Sequence, residues 1–240
     1  MGAKAASARP VLIAQMTDIH VGFAPEEKPE ELNLVRFRAT YRRLIEGPNR
    51  PDMLVLTGDI TDHGDDESFA KAAELLKDCP FPVVPMVGNH DSRRGLLSAF
   101  PQVTPAEGGF LHYVVEAPLG LRIICLDTLE DGRHGGAFCE ARAAWLAARL
   151  AEAPDQPTLI FMHHPPVVAG IDWMDPAPDE PWIMRLHKVL ARAEPGGGDP
   201  LRPPPPPDHH ALCRNPARGD ALGRATGGDG FVPDRPAHPR

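Results

Sequence analysis

The chain has 240 residues, enough for one large domain or two small ones, and carries 25 Lys and Arg against 33 Asp and Glu, a formal net charge of −8. An acidic chain with no basic block is a poor coat for nucleic acid or anionic lipid, although a metal ion can still supply local positive charge for a small phosphorylated substrate. It contains no run of about 18 apolar residues to cross a bilayer. The opening Met1–Ser7 has no apolar stretch to act as a secretion signal, and Ala6 breaks the myristoylation pattern. Cys79, Cys125, Cys139 and Cys213 are widely spaced, with no C-x-x-C pair. They read as reduced structural thiols of a cytoplasmic protein.

Along the chain, short apolar runs end in polar residues. Val11–Met16 runs into Thr17-Asp18-Ile19-His20, Met53–Leu56 into Thr57-Gly58-Asp59, and Val83–Val87 into Gly88-Asn89-His90-Asp91. Arg122–Leu126 runs into Asp127-Thr128, and Thr158–Met162 into His163-His164-Pro165-Pro166. Their length and lack of alternation predict strands covered on both faces. Between them the apolar spacing predicts helices over Glu30–Glu46, Asp66–Asp78, Ser92–Phe100 (capped by its Ser), Glu140–Ala153 and Pro181–Ala193. His112–Glu116 and Leu121–Leu126 predict a hairpin. Alternating strands and helices imply a layered α/β fold with helices outside.

Residues 1–9 are expected to be a disordered N-terminus and 10–194 the folded domain. Residues 195–240 hold 11 Pro and 8 Gly among 46 positions, with few large apolar side chains. Such a segment cannot bury enough surface to offset its ordering entropy, so a disordered tail is expected.

The chemistry concentrates at strand ends, where open α/β sheets bind ligands. Asp18 and His20, two residues apart, would point the same way from an extended segment, as a divalent ion with mixed oxygen and nitrogen ligands requires. Asp59 follows Gly58, Asn89 follows Gly88, and His163 ends a further strand. Three oxygen donors and two imidazoles from four strand ends can converge only on a small site, for which one carboxylate bridging two metal ions would be the economical arrangement.

The order D-x-H, G-D, G-N-H-D and an apolar strand ending H-H-P-P resembles the calcineurin-like metallophosphoesterases. Leu56–Asp62, Phe81–Asp91 and Ile124–Thr128 resemble the class III cyclic nucleotide phosphodiesterases in particular. The resemblance covers about residues 10–194. It implies a four-layer αββα sandwich around a binuclear centre of two divalent ions (Fe, Mn, Zn or Co). Asp18 and His20 would then hold the first ion, Asp59 would bridge, and Asn89 and His163 would hold the second. His90 would contact the phosphate and assist the leaving oxygen, with Asp91 orienting His90 and with Asn89 and His164 as further substrate contacts. The implied reaction is hydrolysis of a small phosphodiester, a 3',5'-cyclic nucleotide first, by a metal-activated hydroxide. Glycerophosphodiesters, phosphoproteins and nucleic acid are the alternatives, the last disfavoured by the absence of a basic stripe. Family members often pair through their C-terminal regions, which leaves a homodimer open.

One family motif, G-H-x-H, is missing a few dozen residues after His163. His209-His210 lacks the glycine and lies in the Pro/Gly tail. A frame argument accounts for this. Read from the second base, the codons for Asp199–His210 permit Ile-x-Cys-Gly-His-x-His-Arg-Pro-Ile-Thr-Thr, and the five consecutive prolines become a shadow of CNC triplets. The tail is thus read as out of frame. Its loss would take one ligand from each ion and the last strands from one sheet, leaving an exposed edge, weaker metal binding and a catalytically impaired remnant. The loop Gly170–Asp175 is a candidate pocket wall. His112, His134 and His187 are expected in ordinary surface or core roles, and Trp145 in the core.

Overall fold

The computed structural model describes residues 9–23, 32–171, 174–177 and 179–193. All of them belong to the first of two units, Met1–Pro204, into which the chain divides. The tail at 195–240, with the frame argument attached to it, lies outside the described residues, as do residues 1–8. Arg9 is described, and its guanidinium pairs with the Asp52 carboxylate, with Nη1 3.0 Å from Oδ2.

Two three-stranded sheets carry the fold. The first has the order β1 (Ile13–Met16), β2 (Met53–Leu56), β3 (Val83–Pro85), all parallel. The second has the order β4 (Tyr113–Glu116), β5 (Arg122–Leu126), β6 (Thr158–Met162). In it β4 and β5 form the expected antiparallel hairpin, and β5 and β6 are parallel. Helices α1 (Leu32–Glu46), α2 (Asp66–Leu76) and α3 (Arg93–Ala99) accompany the first sheet, and α4 (Glu140–Glu152) and α5 (Pro181–Ala193) the second. Local chemistry sets several starts: Asp65 Oδ1 accepts from Ser68 N at 2.8 Å, and Ser92 Oγ accepts from Gly95 N at 3.1 Å.

Strand pleating explains the layers. Leu54 and Leu56 of β2 pack with Phe37, Phe69 and Leu96 of the first helices, while Met53 and Val55 on the opposite face meet Ile123 and Cys125 of β5. The alternate β5 residues, Ile124 and Leu126, pack against Leu146 and Leu186 of α4 and α5. The result is helix on sheet on sheet on helix, with the central strands β2 and β5 covered on both faces. Among the described residues β6 pairs only with β5, and Leu159 on it is 43% exposed, whereas all five residues of β5 are buried.

His112, next to β4, is buried and stacked on Trp145 of α4, with ring centroids 5.0 Å apart. Its Nδ1 accepts from Asp127 N at 3.0 Å. Burial, reinforced by Arg142 and Arg93 and opposed by Asp127, pushes its pKa down to about 4 from 6.5. The folded value lies below the unfolded one, so acid favours unfolding. The contribution is complete above about pH 6.5 and is lost as the pH falls towards 4, amounting to about 3 kcal/mol. His112→Asn, whose amide oxygen can replace Nδ1 as acceptor, is expected to flatten this part of the stability profile. Urea unfolding between pH 7 and 4 checks it, and an unchanged slope in the variant refutes the assignment.

Candidate metal centre

The loops that leave β1, β2 and β3 are stitched together by their backbones. Asp18 N donates to Gly58 O at 3.1 Å, His20 N to Asp59 O at 2.9 Å, and Val21 N to Ile60 O at 2.9 Å. Asp18, His20 and Asp59 all adopt left-handed backbone conformations, with φ of 52°, 48° and 49°. Such conformations disfavour non-glycine residues and persist where surrounding structure holds them. The extended segment expected for Asp18-x-His20 is therefore absent: the chain turns at both residues once β1 has ended. Gly58 and Gly88 let the loops meet. A Cβ at Gly58 would lie 2.7 Å from His163 Nδ1, and one at Gly88 would lie 2.2 Å from Asp59 Oδ1. No residue with a side chain fits either point without displacing a donor.

Asp59 lies at the focus. Its Oδ2 is 3.7 Å from His20 Nε2 and 3.4 Å from His163 Nε2, while Oδ1 accepts from His90 N at 2.9 Å. Two sets of donor atoms, each mutually within 4.8 Å, share it: His20, Asp59 and His90, and Asp18, Asp59 and His163. Asn89 joins the second set, with Oδ1 3.2 Å from His163 Nε2. Asp18 and His20 remain neighbours, with Oδ1 and Nε2 3.9 Å apart, and the His90 ring lies beside His20, with centroids 4.7 Å apart.

His163 Nδ1 donates to Thr57 O at 2.9 Å, which leaves Nε2 flanked by the oxygens of Asp59 and Asn89. A nitrogen between two oxygens calls for a cation. Burial works against charge on His163, but the Asp59 carboxylate outweighs it and raises the imidazole's proton affinity. Asp59 is likewise held below the usual carboxylate range, since His163 and His90 overcome its burial. The pair of imidazole and carboxylate thus presents the donor chemistry of a divalent metal site with mixed ligands.

Asp91, expected to orient His90, does not do so. Its carboxylate is buried and accepts from Ile60 N at 3.1 Å, Thr61 N at 2.9 Å, Thr61 Oγ1 at 2.9 Å and Gly88 N at 2.9 Å. With four donors around it, Asp91 clamps the Asp59 loop to the Asn89 turn, and burial nevertheless raises its pKa. His90 is oriented instead by the backbone of Asp62, whose carbonyl accepts from Nδ1 at 2.9 Å. His164 is buried and turned the other way from His163, with Nδ1 2.8 Å from Thr128 Oγ1. Burial, aided by the charge of His163, pushes its pKa down to about 4, so it is neutral at pH 7.

The donors line a cleft of about 680 Å³. His134, Gly136, Met174, Asp175 and Trp182 complete the wall. Met174 and Asp175 put the end of the predicted 170–175 loop there; Asp172 and Trp173 lie outside the described residues. His134 is an exposed surface residue at this wall: its Nδ1 is 3.4 Å from Asn89 Nδ2, and its ring centroid is 6.1 Å from that of His90. It sits in the loop between β5 and α4, where neither periodicity nor motif marks it. His112 and Trp145 take the core positions expected of them.

Beneath the cleft, Arg93 at the start of α3 holds Asp127 at the end of β5, with Nε to Oδ2 at 2.6 Å and Nη2 to Oδ1 at 2.9 Å. This joins the turn that carries Asn89 and His90 to the second sheet.

The family model of the calcineurin-like phosphoesterases matches residues 11–191. A probable glycerophosphodiester phosphodiesterase GpdQ of Arcobacter nitrofigilis is 34% identical over 171 residues, covering 69% of this chain and 61% of that protein. The 3',5'-cyclic adenosine monophosphate phosphodiesterase CpdA of Escherichia coli strain K12 is 32% identical, covering 69% and 59%. The chain thus spans about 60% of the length of these curated relatives. The purple acid phosphatase PPD1 of yellow lupin superposes with a TM-score of 0.53 at 15% identity, over 76% of this chain and 36% of the other, a likeness of fold. With the family model matching from β1 to α5, the chain belongs to the calcineurin-like phosphoesterase family.

Proposed function

We propose that this chain hydrolyses small phosphodiesters in a reaction that needs two divalent ions, with a 3',5'-cyclic nucleotide as its foremost substrate. The observation that carries the reading is the place of Asp59 in both donor sets, with His163 Nε2 and His20 Nε2 on either side of its Oδ2. Asp18 and His20 would hold one ion, Asn89 and His163 the other, and Asp59 both, with Fe, Mn, Zn and Co all compatible with these ligand types. Bound there, the ions supply a nucleophile at neutral pH and offset charge on the phosphoryl oxygens. The chain's own contribution is placement. His90, with Nδ1 committed to the Asp62 carbonyl, has Nε2 free to meet a phosphoryl oxygen or to hand a proton to the leaving oxygen. The relatives whose names specify cyclic nucleotides and glycerophosphodiesters both support a phosphodiester, and a cytosolic setting suits the free thiols of Cys79, Cys125 and Cys139.

Purified protein with added manganese is expected to turn over bis(p-nitrophenyl) phosphate and then cyclic AMP. Absence of turnover with both, and with glycerophosphodiesters, would refute the proposal. A second reading, an impaired remnant, follows from the missing G-H-x-H motif. On that reading a manganese titration gives fewer than two tightly held ions per chain, and two tight ions would refute it. The coding DNA across codons 185–240 checks the frame argument: a second frame without GGC-CAC-NNC-CAC overturns it.

A further inference from the structure

One wall of the cleft carries none of the metal donors. Residues 128–137, between β5 and α4, form a loop whose ends meet, with Ala137 N donating to Thr128 O at 2.9 Å. Residues 131–135 of this loop are exposed, whereas Gly136 is buried. His134, Gly135 and Gly136 line the cleft. The loop seats there closely: a Cβ at Gly136 would lie 2.9 Å from His164 Cβ and 3.1 Å from Trp182 Cζ2. Among the described residues no Lys or Arg lines the cleft.

Arg142 holds this loop. It is the third residue of α4, where the helix dipole disfavours a cation, and it is buried, which disfavours a charge further. Nothing local therefore favours an arginine here, and its contacts are tertiary. Nη1 donates to Ala137 O and Nη2 donates to Leu129 O at 2.8 Å, so one guanidinium ties the two ends of the loop. Its Cζ lies 4.3 Å from the centroid of the Phe110 ring. Burial works against its charge, and the Asp127 carboxylate works for it. Leu129 O also accepts from Arg93 Nη2 at 2.7 Å, which fixes the loop to the start of α3.

We propose that Arg142 is a positioning residue that sets the 128–137 loop as the wall against which the organic part of the substrate packs. The inference rests on the phosphodiesterase reading above, which leaves the phosphate to the metal centre and His90. The two can fail separately, because the hold on the loop can be read in metal-free protein without substrate. Since the loop carries no metal donor, loosening it weakens substrate binding and spares the metal centre. The planar fork of an arginine reaches both carbonyls at once, whereas the point charge of a lysine does not reproduce that geometry.

The test pairs amide hydrogen exchange by NMR in the metal-free full chain with kinetics on cyclic AMP in the presence of manganese. In the wild type the Ala137 amide is expected to be protected and the exposed Gly135 amide to exchange freely. Arg142→Ala is expected to speed exchange at Ala137 by at least about 10-fold, the scale of losing a hydrogen bond to a charged group, and by a smaller factor in β2. The same variant is expected to raise KM about 10-fold while kcat and manganese affinity stay within about 2-fold. Arg142→Lys is expected to fall between the two proteins on both counts. A wild-type Ala137 amide that exchanges as fast as Gly135 overturns the inference, and that measurement requires no variant to fold. So does an Arg142→Ala protein with unchanged exchange at Ala137, one in which β2 accelerates as much as Ala137, or one whose loosened loop leaves KM unmoved. If the wild type turns over no phosphodiester, the functional reading falls while the exchange result still decides whether Arg142 sets the loop.

Discussion

Asp59→Ala is expected to reduce turnover of bis(p-nitrophenyl) phosphate by about 10²- to 10³-fold, the range seen when a preorganised electrostatic group is removed from a reacting centre. The reason is geometric. Asp59 is the single residue common to both donor sets, so its loss takes an anionic ligand from each at once. A general collapse of the loops would produce the same loss, and Asp59→Asn separates the two explanations. Asparagine fills the same space and retains an oxygen to accept from His90 N, a bond of 2.9 Å in the native chain. It removes the negative charge and turns the other oxygen into an NH2 donor. The asparagine variant is therefore expected to melt close to the wild type and still to lose turnover and manganese affinity. Retention of more than about a tenth of the native rate would remove Asp59 from the centre of the mechanism.

The largest loss of stability is expected from Arg93→Ala, about 3 kcal/mol by urea unfolding at pH 7. Breaking a buried ion pair from one side costs roughly 3–5 kcal/mol, and the lower end applies because the Arg93 side chain is 21% exposed. The Asp127 side chain is 0% exposed. Without Arg93 it keeps the N–H groups of Leu111 and Leu129, both at 2.9 Å, but loses two charge-assisted bonds. Burial disfavours the carboxylate form of Asp127, and Arg93 more than compensates, so its folded pKa lies below the ordinary 3.8. The stabilisation is therefore present above pH 3.8 and is lost as the pH falls through the folded value. In Arg93→Ala that acid-side loss should shrink. Arg93→Lys, a point charge without the two-pronged geometry, should fall between the two. A loss below about 1 kcal/mol for the alanine variant would show that the pair contributes little. Because Arg93 opens the helix behind Asn89 and His90, turnover is expected to fall with it.

The strand ends that carry Asp18, Asp59, Asn89 and His163 could be read directly from the sequence. Each is an apolar run that stops at a polar residue, often behind a glycine, and burial on both faces of a strand imposes that pattern locally. The helix limits followed from equally local chemistry, such as the Ser92 cap and Pro181 at the start of α5. The choice of His163 over His164 came from the family resemblance; in the structure His163 Nε2 lies 3.4 Å from Asp59 Oδ2, and His164 Nδ1 lies 2.8 Å from Thr128 Oγ1.

The tertiary structure decided how the donors are shared. Asp18 and His20 meet at 3.9 Å although the chain turns left-handed at each, a conformation that adjoining loops hold and that no spacing rule encodes. Asp91 has the same sequence neighbours whether it touches His90 or the backbone of the next loop; four N–H and O–H donors from residues 60, 61 and 88 settle the matter. The place of His134 could not be read for the same reason: it reaches the cleft from a loop without periodicity. Side-chain type and local burial are properties of a segment. The direction in which a carboxylate or imidazole points is a property of the loops packed against it, and that is fixed only when the strands bring them together.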